Sequence, residues 1–422
     1  SREKSLSEQY ENYRKQGLKL DMSRGKPCPE QLELSEGFFA DTKNLFTEDG
    51  TDCRNYGLLD GIKEAKALFA EIFGLSTDEI FIGGNSSLNL IYDLISKAFI
   101  HGLNGFEKPW CRLDKVRFLC PSPGYDRHFA ITELFGVEMI TIPMNDDGPD
   151  MDMVEKLTAE DDSIKGIWCV PKYSNPTGIT YSDSVVRRLA SMKTKANDFI
   201  IMWDNAYAVH DLYEPSDKLL DIFSECRNAG NPGRVYMFAS TSKITFPGAG
   251  ISMMASSREN IAHIKKLIAI QTIGNDKINM LLHVRFLKNA DNIRNHMKRH
   301  AEIIRPKFEA VDEILGRNLS GMGIASWKIP KGGYFISLNV PEGCAKRTVA
   351  LAGNTGVKLT PAGATFPYGR DPKDSNIRLA PTYPPLDELR KAGIKFFIWK
   401  VKMTCNIKVS AYLTINITRT SL

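Results

Sequence analysis

From about Tyr56 onward the chain alternates two hydrophobic patterns. Residues Ile62 to Phe73 place apolar side chains at helical spacing, and Gly74 reads as the stop. The next run, EIFIGG, is short, apolar and closed by glycines, which predicts a strand. SLNLIYDLISKAF again has one apolar helical face. Strand-like runs follow in VRFLCPSPGY, VEMITIPM, IKGIWCVPKYSNPTG, FIIMWDNAY and VYMFASTSK. Such runs separated by helices predict an α/β architecture: a mostly parallel sheet with helices on both faces. Asn275 to about Leu315 reads as long, helical and charged, a bridge between two units. GGYFISLNV, Gly356–Thr360 and SNIRLAP predict strands of a second, smaller α+β unit. Before all of this, a polar helix is expected up to Gln16, then an extended run, LKLDMSRGKPCPE, broken by a Gly-Lys-Pro turn.

Composition narrows the class. The chain has 422 residues, 42% hydrophobic and 25% charged, which excludes a disordered, collagenous or coiled-coil protein. Lys and Arg number 55 against 50 acidic residues, and the basic ones are dispersed, so no nucleic-acid partner is expected. The eight cysteines are scattered without a C-x-x-C pair or a His cluster, which points to reduced, buried thiols and no metal. SREKSLSEQYENYRKQ has no apolar core and does not read as a signal peptide. No stretch reaches the roughly 18 apolar residues of a membrane span. A soluble, cytoplasmic protein is expected, with no membrane partner.

In a sheet of this kind ligands sit beyond the carboxyl ends of the strands. Four motifs fall there: Asn175-Pro-Thr-Gly, Asp204-Asn-Ala-Tyr207, Ser240-Thr-Ser-Lys243 and Asn376-Ile-Arg378-Leu. Singly they mean little. An Asn-Pro turn, an Asp helix cap, a solvated lysine and a surface arginine are common. Together they provide what pyridoxal phosphate requires: an amine for a Schiff base and a carboxylate to keep the ring nitrogen protonated. Lys243 is the amine and Asp204 the carboxylate. Asn175 and Tyr207 can hydrogen-bond the ring hydroxyl.

With these motifs in this order, the chain resembles the fold-type I pyridoxal-phosphate aminotransferases over about residues 20–400. RGKP, YGLLDGI, GGNSSLNL, PSPGYDRH and STSKITFPGAG resemble the bacterial type Ic aspartate aminotransferases. The resemblance implies a proton-shuttling Lys243, Asp204 on the pyridinium, Asn175 and Tyr207 on the ring oxygen, and Ser240 on the phosphate. It places Tyr125 on the ring face and His128 against the aspartate. Gly84, Asn85 and Ser86 open a helix and are expected at the phosphate; a plain N-capping turn is the competing reading. Tyr56 matches a residue that reaches the neighbouring subunit's phosphate, which implies a homodimer. The implied division is 1–45 for the N-terminal part of a small domain and the substrate loop, 46–290 for the cofactor domain, and 291–422 for the interdomain helix and the rest of the small domain.

For the substrate, the resemblance assigns the α-carboxylate to Arg378 and a closing loop to Gly25. A planar guanidinium fork suits a carboxylate. The distal carboxylate of aspartate needs a second cation: Arg127, with Arg24 and Lys26 as alternates. Expected substrates are therefore an amino acid such as aspartate and the oxo acid 2-oxoglutarate. Rival activities on the same scaffold are an aromatic or 2-aminoadipate transaminase and a β-lyase. A cofactor-sensing transcription regulator would need a DNA-binding segment before LDMSRG, where only about 20 residues stand. Two features depart from the family pattern. Ile251 stands where an arginine usually meets the phosphate, and the run after Val401 does not continue a helix.

Overall fold

The computed structural model describes residues 11, 12, 15, 19–106 and 108–390. Thirteen strands occur there: β1 (Leu20–Asp21), β2 (Ile80–Gly83), β3 (Arg117–Ser122), β4 (Glu138–Asn145), β5 (Gly148–Pro149), β6 (Ile164–Cys169), β7 (Ile200–Asp204), β8 (Val235–Ser240), β9 (Ser252–Ala255), β10 (Ser326–Trp327), β11 (Ile336–Asn339), β12 (Val357–Lys358) and β13 (Asn376–Leu379). Eight of them form one sheet in the order β2-β9-β8-β7-β6-β3-β4-β5. The pairs from β4 through β3, β6 and β7 to β8 are parallel. β9 pairs antiparallel with both β8 and β2, so β2 runs in the same direction as the parallel set.

The sheet is covered on both faces, and its strands show it. β6 and β7 are buried at every residue, as continuous apolar runs between helical layers should be. β4, nearer the edge, mixes exposed and buried positions. The helix Lys63–Phe73 buries Ala65, Leu68 and Phe69 and ends at Gly74, whose left-handed φ of 67° is the usual glycine stop. The helix Ser87–His101 buries Leu90, Ile91, Leu94, Ile95 and Ala98 along one stripe.

Two parts differ from the sequence reading. β9 enters between β2 and β8, although ISMMA is too short and uniform to distinguish a strand from a loop remnant. The predicted single helix from Asn275 is two, Lys277–Leu287 and Ala290–Leu319. Lys288 breaks it at φ 61°, and the Asn289 side chain caps the second helix by accepting from the Asn292 N–H. Pro306 lies inside that second helix without ending it.

Outside the large sheet, β10, β11 and β13 make an antiparallel sheet, and β1 pairs in parallel with β12. The N-terminal strand therefore joins the C-terminal part of the chain in one core, where Leu20 and Met22 pack with Phe308, Ile336, Val357 and Leu379. The polar helix expected up to Gln16 lies largely outside the described residues, and the run after Val401 lies wholly outside them. Among the described residues no helix is long and apolar enough to cross a membrane.

Candidate active site

The carboxyl ends of β2, β3, β6, β7 and β8 open on one rim, and the chemistry gathers there. β7 ends at buried Asp204. Its Oδ2 lies 3.0 Å from Nε2 of His128, a ring stacked on Trp168 at 4.5 Å and 11°. Its Oδ1 is buried and has no hydrogen-bond partner among the described residues. An acceptor stripped of water and left unpaired costs free energy unless a ligand donor meets it. Lys243 follows β8 by three residues, with Nζ 5.1 Å from the Tyr207 ring centre and 5.9 Å from that of Tyr334. Burial lowers the Lys243 pKa, and the Asp204 charge pulls it partly back up. Burial, and then the charge of Tyr125 and Asp204, pushes the Tyr207 phenol well above its ordinary value. It therefore stays protonated and can donate. Tyr125 is pushed up to about 12, mostly by burial and then by Asp204.

Across the cavity, β13 carries Arg378, buried to 6% exposure. Its Nη1 donates to Asp126 Oδ1 at 2.8 Å and to Asn175 Oδ1 at 3.1 Å, and Nε donates to Thr360 Oγ1 at 3.2 Å. The guanidinium lies 4.9 Å from the Phe335 ring centre. Gly25 presses on the same ring: a Cβ there would stand 2.4 Å from Phe335 Cζ, so only glycine permits this approach.

One cavity of about 540 Å³ is lined by Gly25, Ser86, Tyr125, Arg127, Asn175, Asp204, Tyr207, Ser240, Lys243 and Arg378. His128 stands behind Asp204 and off the cavity wall, against Asp204 and the Tyr125 ring. Tyr56 is 82% exposed and does not line its own chain's cavity. Gly84 and Asn85 also stand off the wall, with their carbonyls taken by the hydroxyls of Ser252 and Ser242 at 2.8 and 3.0 Å. Ser86 is the N-cap of Ser87–His101, its hydroxyl accepting from the Leu88 N–H at 3.2 Å. The wall at this end is thus a helix N-terminus with Ser240 and Ser242, whose hydroxyls are 3.0 Å apart. Ile251 is 1% exposed and sits in the core of the large sheet.

The sequence reading missed Asp126, Ser242, Phe335, Lys358 and Thr360, all of which line the cavity. Asp126 and Ser242 adjoin residues it singled out; Phe335, Lys358 and Thr360 carry no local motif. A second cleft of about 580 Å³ lies between residues 205–221 and the helix Ala290–Leu319, and none of the candidate residues lines it.

Comparisons with known proteins bear on the family and the fold. A family model described as aspartate amino-transferase matches residues 1–409. An aspartate aminotransferase of Corynebacterium glutamicum is 45% identical over 92% of this chain and 90% of its own. The crystal structure of an aspartate transaminase from the same species superposes with a TM-score of 0.92 at 43% identity, covering 95% of each chain. The fold extends to the α-aminoadipate aminotransferase of Thermus thermophilus, solved with N-(5'-phosphopyridoxyl)-L-leucine, at a TM-score of 0.75 and 21% identity over 94% of this chain and 95% of that one.

Proposed function

The chain belongs to the aspartate aminotransferase family, and from that premise we propose that it moves the amino group of aspartate, or a similar dicarboxylic amino acid, to 2-oxoglutarate, using pyridoxal phosphate at Lys243. The observation that carries the reading is one cavity holding a half-buried amine, a buried carboxylate oxygen without a partner among the described residues, and a buried guanidinium opposite them. The unpaired Asp204 Oδ1 fits a protonated ring nitrogen, and the helix N-terminus with Ser240 and Ser242 fits a phosphate. When bound, pyridoxal phosphate supplies a carbonyl carbon for amine exchange and a ring that accepts an electron pair.

The protein's own groups do the rest. Asp204 holds the positive charge on the ring nitrogen, and His128 keeps that carboxylate oriented. Tyr207, protonated, donates to the ring oxygen, and the Asn175 amide, whose oxygen is committed to Arg378, has its N–H groups for the same task. Lys243, with its pKa lowered by burial, is more readily neutral and so can take the α-proton of the amino acid on Nζ and return it elsewhere. Arg378 takes the α-carboxylate.

A dicarboxylate is favoured by charge. Arg24, Lys26, Arg127 and Lys358 line the cavity besides Arg378 and Lys243, against Asp126 and Asp204. The relative named aspartate aminotransferase supports the same choice. The exposed Tyr56 suits donation across a homodimer, and free cysteines suit a reducing cytosol. The test is an absorbance titration of the holoenzyme with a panel of amino acids, in parent and Lys243→Ala. Aspartate and glutamate should bleach the parent's visible band, with return on adding 2-oxoglutarate. Lys243→Ala should lose at least about a hundredfold in turnover. A response to aromatic amino acids alone would refute the substrate choice.

A further inference from the structure

Arg378 has its donors nearly spent before any substrate arrives. A guanidinium offers five N–H groups. Nη1 gives both of its own to Asp126 and Asn175, and Nε gives its one to Thr360. Only the pair on Nη2 has no partner among the described residues. Two parallel bonds to a carboxylate need Nη2 together with either Nη1 or Nε. Some resident partner must therefore yield.

The three partners are not equal. Thr360 is buried, and its hydroxyl already donates to the Ser23 carbonyl at 2.7 Å. Asn175 is buried and neutral. The Asp126 side chain is 31% exposed against 6% for Arg378, so it faces the open side of the pair. It is also the one partner with the same charge as the incoming group, so both cannot share Nη1 without repulsion. Asp126 begins the nine-residue helix Asp126–Leu134, whose positive end supports its charge once Arg378 lets go.

Building on the assignment of Arg378 to the α-carboxylate, we infer that Asp126 is a resident carboxylate that occupies Arg378 in the empty site and is displaced by the substrate's own. It gives the buried guanidinium its one charged partner among the described residues, and every carboxylate ligand binds in competition with it.

The test is isothermal titration of the holoenzyme with succinate, a dicarboxylate without an amino group, so binding is read without turnover. Asp126→Asn should lower the succinate Kd by roughly three- to tenfold, since a neutral partner competes less well than an ionic one. Asp126→Ser should act in the same direction. Arg378→Ala should raise the Kd, and Asp126→Asn should add nothing in that background. A raised or unchanged Kd in Asp126→Asn overturns the proposal, because Asp126 then only orients Arg378. An equal gain with and without Arg378 also overturns it, because the effect is then the general loss of a negative charge. If Arg378→Ala leaves the Kd unchanged, the assignment of Arg378 itself falls, and this inference falls with it.

Discussion

Acid should loosen the turn that carries Lys243, and His283 is the residue through which it acts. His283 is fully buried on the helix Lys277–Leu287. Its Nδ1 lies 2.8 Å from the Asn279 carbonyl, which can only accept, so the neutral ring carries its proton there. Nε2 is then the acceptor for the hydroxyls of Thr241 and Thr245 at 3.0 and 2.9 Å. Both threonines flank Lys243, and Thr241 Oγ1 also accepts from the Ile251 N–H at 2.9 Å. The neutral imidazole thus ties the turn to the helix. Burial pulls its pKa from 6.5 to about 4, opposed by the Asn279 carbonyl and Asp276.

The folded value lies below the unfolded one, so between them the unfolded chain binds more protons. Stability is complete above about pH 6.5 and falls as the pH drops towards about 4. At about 1.4 kcal/mol per unit, the loss from this group reaches about 2 kcal/mol near pH 5 and about 3 kcal/mol in full. That is a sizeable part of an ordinary domain's stability. His300 is also pulled down by burial and by His296, so the parent's acid sensitivity is not His283's alone. The assay is therefore comparative: urea unfolding of the parent and His283→Gln at about pH 7.5 and about pH 5. The variant should start less stable but lose about 2 kcal/mol less across the interval. Equal losses in the two proteins would refute the reasoning.

Ile251→Arg should not restore a phosphate cation; it should bury an unpaired charge in the sheet core and cost at least about 3 kcal/mol in chemical unfolding, and unchanged stability would refute this. Arg127→Ala should lower kcat/KM for aspartate by roughly fivefold while sparing alanine, since Arg127 is exposed and an ion pair at such a position contributes about 1 kcal/mol; an unchanged ratio would move the distal cation to Arg24, Lys26 or Lys358. Sedimentation should give an active dimer whose activity declines on dilution and declines further in Tyr56→Ala, and an active monomer would refute the shared site.

The sheet was legible because each of its buried strands is a continuous apolar run ending in polar residues, and those endings are where the candidate site gathers. Asp204, Asn175 and Lys243 could be found because Asp204 closes β7 and the other two lie in the turns that follow β6 and β8. β9 was not legible: three apolar residues and a serine after a glycine-rich turn have no period of their own, and only pairing with β2 and β8 makes them a strand. The helix break at Lys288 was hidden because the apolar spacing continues on both sides of it. The partners of Arg378 were invisible for another reason. Asp126 is 252 residues away in sequence, and nothing local marks Asp126, Thr360 or Phe335 as its neighbours. Long-range pairing decides those contacts, not pattern.

The missing arginine at position 251 has a structural reason that bears on the proposed function. Gly250 packs so closely on the β2 turn that a Cβ would stand 3.0 Å from the Asn85 carbonyl and 3.3 Å from the Ser242 nitrogen. Ile251 itself points into the core. The two ends of the segment from Ser240 to Ile251 are therefore clasped together, with Thr241 N donating to the Ile251 carbonyl at 2.9 Å and Ser242 Oγ to the Asn85 carbonyl at 3.0 Å. The turn has no room for a long cationic side chain at its buried end, Ile251. It does bring the hydroxyls of Ser240 and Ser242 beside the start of the helix Ser87–His101. An anion at this end would meet aligned dipoles in place of a formal charge. Dipoles act only when held in place, since a frayed turn contributes nothing. An arginine could follow a shifted phosphate on its flexible stem, and this turn cannot. On the proposed reading, cofactor retention depends on the rigidity of the turn, and hence on the neutral His283 that pins Thr241 and Thr245. Cofactor loss on acidification should then precede global unfolding.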